Sequence, residues 1–249
     1  MTTKLTAKLT AKVKRASGSP LWLFDLDNTL HNASHAIFPA ITQNMNVYMA
    51  DLLGDGETPA DAATVNAVRQ QYWQRYGATL MGLIKHHGVR ADEFLHQAHS
   101  FDDLPSMIRA ERGLARLFKR LPGRKILLTN APRKYSHQVM RHLGLHRHFD
   151  QHIPIEAMRV HGKLQPKPSS QFLRKLLAKQ GVHARRCILV EDSPANLRAA
   201  KKIGVRTVLV TQYTQHICQL GNRNSAACAD VTVKSVFQLA AHQWRLQSK

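Results

Sequence analysis

A short apolar run that ends in two closely spaced aspartates constrains this fold more than any other stretch of the chain. Residues 21–24 (Leu-Trp-Leu-Phe) follow Gly18, Ser19 and Pro20, and Asp25 and Asp27 come directly after them. The run is predicted to form a buried strand, and alternation along a strand points both carboxylates to the same side. In open α/β sheets, ligands bind at the carboxyl ends of the strands. Two close carboxylates repel each other and are suited to holding Mg²⁺, although an ordinary Asp-Asn-Thr turn would also explain the pattern.

Strands and helices alternate through the second half of the chain. A first helix precedes the strand at 125–129, and later helices follow strands. The helix after the third long strand starts at Pro194, with Ser193 as its N-cap and Gly204 past its end. This alternation is typical of α/β proteins with a doubly wound, mainly parallel sheet. The predicted strands are 125–129, an apolar piece at 153–155, 187–190, 207–210 and one after Ala229; the predicted helices are 114–121, 132–143, 169–179 and 194–203.

A helical segment interrupts this alternation between the first and second strands. Apolar residues recur at helical spacing from about residue 34 to 53, and Gly54, Asp55 and Gly56 break that pattern. Thr58 and Pro59 then predict an N-cap and first turn for a helix that ends near Gly77. Shorter helices are predicted over 80–87 and 91–99, and no strand is predicted between residues 34 and 111.

These patterns predict three regions. Residues 1–19 form a basic tail, residues 20–33 and 113–249 form an α/β core, and residues 34–112 form an all-helical cap inserted into the core. A chain of 249 residues is long enough to bury a full core of this kind.

The composition bounds the location and the partners of the protein. No apolar run reaches membrane-spanning length, the tail lacks the apolar segment of a secretory signal, and the three cysteines, Cys187, Cys218 and Cys228, form no C-x-x-C pair. A cytoplasmic protein with no membrane partner is therefore expected. The net charge of +20 favours phosphorylated substrates and also permits nucleic acid. With only 6% aromatic residues and no RRM, KH or zinc-knuckle pattern, nucleic acid is the weaker expectation.

Polar residues also follow the later strands. Thr129 and Asn130 come after the second long strand and just before a helix, where a phosphate site and an ordinary helix cap are both possible. Lys167, between two prolines, is predicted to hold one fixed positive charge, and a solvated loop lysine is the alternative. Asp192, preceded by Glu191, follows the third long strand, where cation binding and helix capping are again the alternatives.

Together, these four segments resemble the motifs of the haloacid dehalogenase-like (HAD) phosphohydrolase superfamily, in order. They are Asp25-Leu-Asp27-Asn-Thr29, Thr129-Asn130, Lys167-Pro168 and Glu191-Asp192-Ser193. The helical insert lies where the C1 cap of subfamily I members lies. His31 departs from the family pattern, since an aromatic residue is frequent at that position in relatives.

This resemblance implies a phosphoric monoester hydrolase with a Rossmann-like core that works through an aspartyl-phosphate. It implies that Asp25 is the nucleophile and that Asp27 is the general acid and base. It further implies that Thr129, Asn130 and Lys167 bind the phosphoryl group, and that Mg²⁺ is held by Asp25, Asp192 and the backbone carbonyl of Asp27. Because Asp27 is present, dehalogenation is not expected, whereas sugar phosphomutases share both aspartates.

The sequence of the insert resembles one branch of this superfamily. The stretch Tyr76-Gly-Ala-Thr79-Leu-Met-Gly-Leu, followed by His87, is similar to pyrimidine 5′-nucleotidases. A small phosphorylated metabolite, in particular a nucleoside monophosphate of the UMP or CMP type, is the expected substrate, with Tyr76, Thr79 and His87 as candidate contacts. A phosphatase for phosphoglycolate or a sugar phosphate, a phosphomutase, and a basic nucleic-acid-binding protein with a vestigial site are the alternatives. The sequence leaves the oligomeric state open.

Overall fold

Strand β1 (Leu21–Phe24) lies at the centre of a parallel sheet. The computed structural model describes residues 19–214 and 228–242, and within them the six-stranded sheet has the order β3-β2-β1-β6-β7-β8. All of its strand pairs are parallel. The strands of the chain are β1 Leu21–Phe24, β2 Arg124–Leu128, β3 Gln151–Ile153, β4 Arg159–Val160, β5 Lys163–Leu164, β6 Cys187–Glu191, β7 Arg206–Val210 and β8 Val231–Val233.

Helices cover the sheet and fill the segment between β1 and β2. Together with the sheet they form a Rossmann-like α/β fold, as the sequence predicted. Between Ser34 and Glu111, all of which is described, there is no strand. The α-helices whose bounds lie within the described residues are α1 Ile37–Leu53, α2 Ala62–Tyr76, α3 Thr79–His87, α4 Ala91–Ala98, α5 Leu104–Met107, α6 Leu114–Arg120, α7 Arg133–His142, α8 Ser170–Gln180 and α9 Pro194–Lys201.

The alternation of apolar side chains along β1 builds a core on both faces of the sheet. Trp22 and Phe24 point to one face, where they pack with residues of α6 and α7. Leu21 and Leu23 point to the other, where residues of α8 and α9 cover them. Because both faces of the strand are dry, it reads as a continuous apolar run.

A third apolar cluster lies mainly within the helical insert. It contains Met49 of α1, Tyr72 of α2 and Leu83 of α3, together with Ile155 and Leu164 from the α/β part of the chain. The last two residues therefore join the insert to the edge of the core beside β5.

The start of α2 differs from the prediction. Thr58 was expected to cap the helix, but Asp61 does so, with its carboxylate accepting from the Thr64 N–H at 2.8 Å. Upstream, the Asp55 carboxylate accepts the Thr58 N–H, and the Ala60 N–H donates to the Ala50 carbonyl of α1. These two bonds hold residues 58–60 in a turn against α1, so the helix starts later.

Two further details concern segments beside the strand ends. Ser193 occupies the N-cap position of α9, as predicted, although its hydroxyl makes no capping hydrogen bond. The segment before Lys167 contains the antiparallel pair β4–β5, which the sequence did not predict. His161 and Gly162 close this hairpin with φ values of 48° and 76°, the left-handed conformations that tight two-residue hairpins require.

Several predictions fall outside the described residues. The basic tail lies outside them except for Ser19, and so does Cys218. Cys187 and Cys228 are buried. No helix among the described residues is both long and apolar enough to cross a membrane.

Candidate active site

Strand register brings the predicted residues together at one edge of the sheet. Phe24, the last residue of β1, lies beside Leu127 of β2 and Val190 of β6. Asp25 continues the ladder by donating its N–H to the Val190 carbonyl at 3.0 Å. Asp25, Thr129 and Glu191 therefore leave three neighbouring strands at nearly the same height. The chain order also reverses at β1, where such sheets bind ligands.

Asp25 is a buried carboxylate with a partner on each oxygen. Lys167 Nζ donates to Oδ1 at 2.6 Å, and Thr29 Oγ1 donates to Oδ2 at 3.0 Å. The Asp25 residue is only 5% exposed. Thr29 reaches it because Asn28, at a φ of 59°, turns the chain back after the strand. This turn is held by a pair of hydrogen bonds between the Asn28 side-chain amide and Ser34.

Lys167 joins two of the strand ends. Its ammonium contacts Asp25 and also donates to Glu191 Oε2 at 2.7 Å. The backbone of Lys167 is fixed in turn by Asn130, whose side-chain amide accepts the Lys167 N–H at 2.9 Å and donates to the Lys167 carbonyl at 3.0 Å. Asn130 thus positions the lysine segment, a task for its side chain that the sequence did not reveal.

Thr129 is buried beside this arrangement. Its hydroxyl accepts the Ala131 N–H at 3.0 Å, which leaves the O–H proton able to donate to an anion. Residues 130–132 then lead into α7.

The site holds more acidic than basic charge, and the pKa values reflect this. Burial, reinforced by the nearby Glu191 carboxylate, raises the pKa of Asp25 to about 7 from its ordinary 3.8, even though Lys167 acts in the opposite direction. Burial and Glu191 likewise raise the pKa of Asp192 well above its ordinary value. Burial alone would lower the pKa of Lys167, but Asp25 and Glu191 outweigh it and raise that pKa.

A cation fits the acidic part of the site. Carboxylate oxygens of Asp25, Glu191 and Asp192 lie within 4.8 Å of one another. All are hard oxygen donors, and their unbalanced negative charge would be relieved by a divalent cation. The sequence assigned Asp25, Asp27 and Asp192 to a metal. Glu191 lies in this group of close carboxylates although the sequence predicted no role for it, and its position next to Asp192 is the signal that could have found it.

Asp27 lies in a different environment. His31 Nε2 lies 2.9 Å from Asp27 Oδ1, and the Tyr135 hydroxyl donates to the same oxygen. Burial would raise the pKa of Asp27, but the hydrogen bonds from His31 and Tyr135 outweigh it and lower that pKa. Tyr135 comes from α7, 108 residues away, and nothing in the sequence linked it to Asp27.

The three candidate substrate residues lie in the insert. Thr79 is buried and donates to the Arg69 carbonyl at 3.3 Å. Tyr76 shares a 2.6 Å hydrogen bond with His86, and His87 shares one of 2.9 Å with Tyr72. Gly77, beside Tyr76, approaches Pro168, so this turn of the insert lies next to the segment that carries Lys167. The substrate role of all three residues stays a prediction.

Comparison with known proteins agrees with the geometry. The family model described as haloacid dehalogenase-like hydrolase matches residues 22–210. "Phosphate metabolism protein 8" of Saccharomyces cerevisiae is 23% identical over 208 residues; the match covers 76% of this chain, and the chain spans 60% of the yeast protein's length. "Validoxylamine A 7'-phosphate phosphatase" of Streptomyces hygroscopicus subsp. limoneus is 26% identical over 222 residues, covering 87% of this chain and 94% of that protein.

A solved structure supports the same fold. The structure of a HAD phosphatase from Thermococcus onnurineus matches with a TM-score of 0.60 at 16% identity, covering 90% of this chain and 97% of that one. The family model spans most of the chain, including the segments that carry Asp25, Lys167 and Asp192. The chain therefore belongs to the haloacid dehalogenase-like hydrolase family.

Proposed function

We propose that this protein is a Mg²⁺-dependent phosphomonoesterase that works through a phosphorylated Asp25. One observation carries the proposal: a buried carboxylate is held between an ammonium and a hydroxyl, with a second carboxylate two residues further on at the same sheet edge. Asp25 is fixed by Lys167 and Thr29, as a nucleophile must be to attack in one direction.

The two aspartates have separate tasks in this proposal. An Asp25 oxygen bonds to phosphorus as the bond from phosphorus to the ester oxygen breaks, and Asp27 gives its proton to that leaving oxygen. Asp27, now a carboxylate, then takes a proton from the water that attacks the aspartyl-phosphate. That second step frees inorganic phosphate and restores both carboxyl groups to their starting states.

The phosphoryl oxygens require donors as charge shifts between them. Thr129 has an available O–H proton, and the Asn130 backbone N–H and the Lys167 ammonium complete the set we assign to this task. Support for Lys167 comes from its burial and from the two hydrogen bonds by which Asn130 fixes its backbone.

We assign the Mg²⁺ site to the Asp25 and Asp192 carboxylates and the backbone carbonyl of Asp27. Glu191, which belongs to the same group of close carboxylate oxygens, forms an ion pair with Lys167. When bound, the cation would supply Lewis-acid stabilisation and shield the anionic nucleophile from the anionic phosphate.

A pyrimidine nucleoside 5′-monophosphate is the substrate we propose. The similarity of the Tyr76–Leu83 stretch to pyrimidine 5′-nucleotidases supports it, and so does the approach of Gly77 to Pro168, beside the proposed phosphate site. In this scheme residues 34–112 are the cap, residues 20–33 and 113–249 are the core, and residues 1–19 are a basic tail. Tyr76, Thr79 and His87 remain the candidate contacts of the cap.

A second candidate is a phosphatase for a different small metabolite, such as a sugar phosphate. The relative named for validoxylamine A 7′-phosphate, which the match covers over 94% of its length, favours this alternative. The same site chemistry would serve a phosphomutase. A basic nucleic-acid-binding protein is the least supported alternative, since it would have no use for the buried ion pair at Asp25 and Lys167.

The mechanism is tested by Asp25→Asn. This nearly isosteric change removes the nucleophile, so Mg²⁺-dependent phosphate release should be abolished while the protein stays folded. Asp92→Asn is the matched control, because Asp92 is an exposed partner of Arg90 in the insert. Phosphate release by Asp25→Asn at the wild-type rate would disprove the mechanism.

The substrate requires its own measurement. Values of kcat/KM for UMP, CMP, dUMP, AMP, phosphoglycolate and sugar phosphates, measured on one preparation, should be highest for the pyrimidine nucleotides. A higher value for a sugar phosphate would favour the second candidate, and transfer of the phosphoryl group to a sugar instead of water would indicate a mutase.

A further inference from the structure

The side chain of Asp27 is held by one oxygen only. Within the described part of the chain, both hydrogen bonds recorded for this carboxylate fall on Oδ1, from His31 Nε2 at 2.9 Å and from the Tyr135 hydroxyl. The side chain is 14% exposed. An oxygen that already accepts two donors is a poor site for a proton, so a proton carried by Asp27 resides on Oδ2.

His31 is placed to donate, although this placement carries an energetic cost. The tight turn after β1, in which the Leu30 N–H bonds to the Leu26 carbonyl at 2.8 Å, brings His31 back beneath Asp27. The His31 residue is fully buried, and its Nδ1 finds no partner within the described residues. A buried polar atom without a partner loses its hydration and gains no hydrogen bond in return, so it is destabilising.

An apolar side chain would avoid that cost. A leucine or phenylalanine would occupy the same dry space with no unpaired nitrogen, so packing does not account for an imidazole here. The hydrogen bond to Asp27 is the one polar interaction that the buried ring makes in the described structure. The Nε2–H tautomer, which leaves Nδ1 as an unpaired acceptor, supplies that bond.

Side chains of the helical insert pack against Tyr135. The Tyr135 residue is 1% exposed, and the rings of His99 and Phe101 pack on its ring with centroids 5.3 and 5.7 Å away. Both belong to the segment that follows α4 (His99 is its C-cap). The phenol is therefore held by packing from the insert while its hydroxyl holds Asp27.

We infer that His31 and Tyr135 are positioning residues that fix the Asp27 carboxyl by Oδ1 and so present Oδ2 to the leaving oxygen of the substrate. This inference rests on the proposed function, in which Asp27 Oδ2 gives its proton as the bond from phosphorus to the ester oxygen breaks. His31 and Tyr135 themselves do not touch the substrate. Their removal frees the carboxyl to rotate, which weakens proton donation without removing the acid.

The test uses leaving groups of different basicity. p-Nitrophenolate departs without a proton, whereas the 5′-alkoxide of a nucleoside needs one. Single-turnover release of the leaving group, measured with p-nitrophenyl phosphate and with UMP at saturating Mg²⁺, isolates the first chemical step. General acid catalysis is worth about 10²–10⁴-fold. A carboxyl that is present but loosely held should therefore lose about 10–100-fold with UMP and less than threefold with p-nitrophenyl phosphate.

Three variants apply this test. Tyr135→Phe and His31→Leu each remove one donor, and His31→Gln keeps an N–H near the position of Nε2 and should recover most of the UMP rate. Tyr48→Phe is the matched control, because it makes the same chemical change within the insert, where Tyr48 packs on Phe94. Thermal melting identifies a variant that fails to fold. If His31→Leu does not fold, Tyr135→Phe, which keeps the ring, carries the test.

The outcomes separate two kinds of failure. A loss confined to UMP, with recovery in His31→Gln, would support the inference. Equal losses with both substrates, or an unchanged UMP rate in Tyr135→Phe, would overturn it while leaving the proposed function intact. A wild-type protein that releases phosphate from neither compound, nor from the sugar phosphates of the wider panel, would overturn the proposed function and the inference together.

Discussion

The raised pKa of Asp25 predicts that Mg²⁺ binding and stability depend on pH in a defined direction. In the folded protein, burial and Glu191 raise this pKa to about 7, whereas an unfolded chain has the ordinary value of 3.8. Below pH 3.8 both states hold the proton and the group contributes nothing. Between 3.8 and 7 the unfolded chain releases its proton while the folded chain keeps it, so the folded state loses stability as the pH rises. Above 7 the full cost is present.

The magnitude follows from the size of the shift. One pKa unit corresponds to about 1.36 kcal/mol, so a shift of roughly three units costs about 4 kcal/mol above pH 7 in the absence of a cation. Asp25 is 5% exposed, so solvent screens little of this cost. A cation held by Asp25 and Asp192 competes with the protons of both carboxyl groups, because the pKa of each is raised. Its apparent affinity should therefore rise by at least about tenfold per pH unit from pH 5 to 7.

Isothermal titration calorimetry with Mg²⁺ at pH 5, 6, 7 and 8 measures the affinity, and urea denaturation at the same pH values measures the free energy of unfolding. The control is Asp25→Asn, in which the group cannot ionise. Asp192, whose pKa is also raised, will keep some pH dependence in that variant. The wild type should nevertheless lose about 1.4 kcal/mol more per pH unit between pH 5 and 7 than Asp25→Asn does. Equal slopes for the two proteins would refute the reasoning.

Three further substitutions test the polar contacts of the site and the packing of the insert. Lys167→Met leaves the Asp25 and Glu191 carboxylates buried without their ammonium partner. It should therefore lower the free energy of unfolding by about 3–5 kcal/mol in urea titrations at pH 8. Adding Glu191→Gln should restore part of this loss. Asn130→Ala removes both hydrogen bonds to the Lys167 backbone; it should cost about 1–3 kcal/mol in the same titration and weaken inhibition by inorganic phosphate, since the lysine is less well fixed. Gly82→Ala would place a methyl group 2.2 Å from the Tyr72 ring, and thermal melting should show that the free energy of unfolding falls by about 1–3 kcal/mol. The control is Gly162→Ala in the β4–β5 hairpin, where the added carbon meets nothing within 4 Å. That change should cost only the strain of the positive φ.

The main features of the fold and site follow from local sequence patterns. The apolar runs that became β1, β2 and β6 are short, continuous and bounded by turns, so their identity did not depend on distant contacts. Once those strands pair in parallel, the residues that follow them must meet at one edge. Asp25, Thr129 and Asp192 were therefore placed together by strand ends alone.

The remaining features depend on competition between alternative helix caps or on contacts between residues that are far apart in the sequence. Thr58 and Asp61 are both good N-caps, and the bond between Ala60 and α1 decided between them. The contact of Tyr135 with Asp27 joins residues 108 positions apart, and no local pattern encodes it. His31 could be recognised as a departure from the family, but its contact with Asp27 depends on how tightly the chain turns at Asn28.

The two aspartates have opposite pKa shifts, and these shifts are the reverse of what catalysis needs. The pKa of Asp25, the proposed nucleophile, is raised, whereas that of Asp27, the proposed acid, is lowered. In the free protein near neutral pH, therefore, the nucleophile is partly protonated and the acid is ionised. A cation bound beside Asp25 would lower its pKa, and a dianionic phosphate beside Asp27 would raise that of Asp27. Cation and substrate together would thus set both aspartates in the required protonation states. Without the cation, or without the substrate, the two aspartates would be inactive.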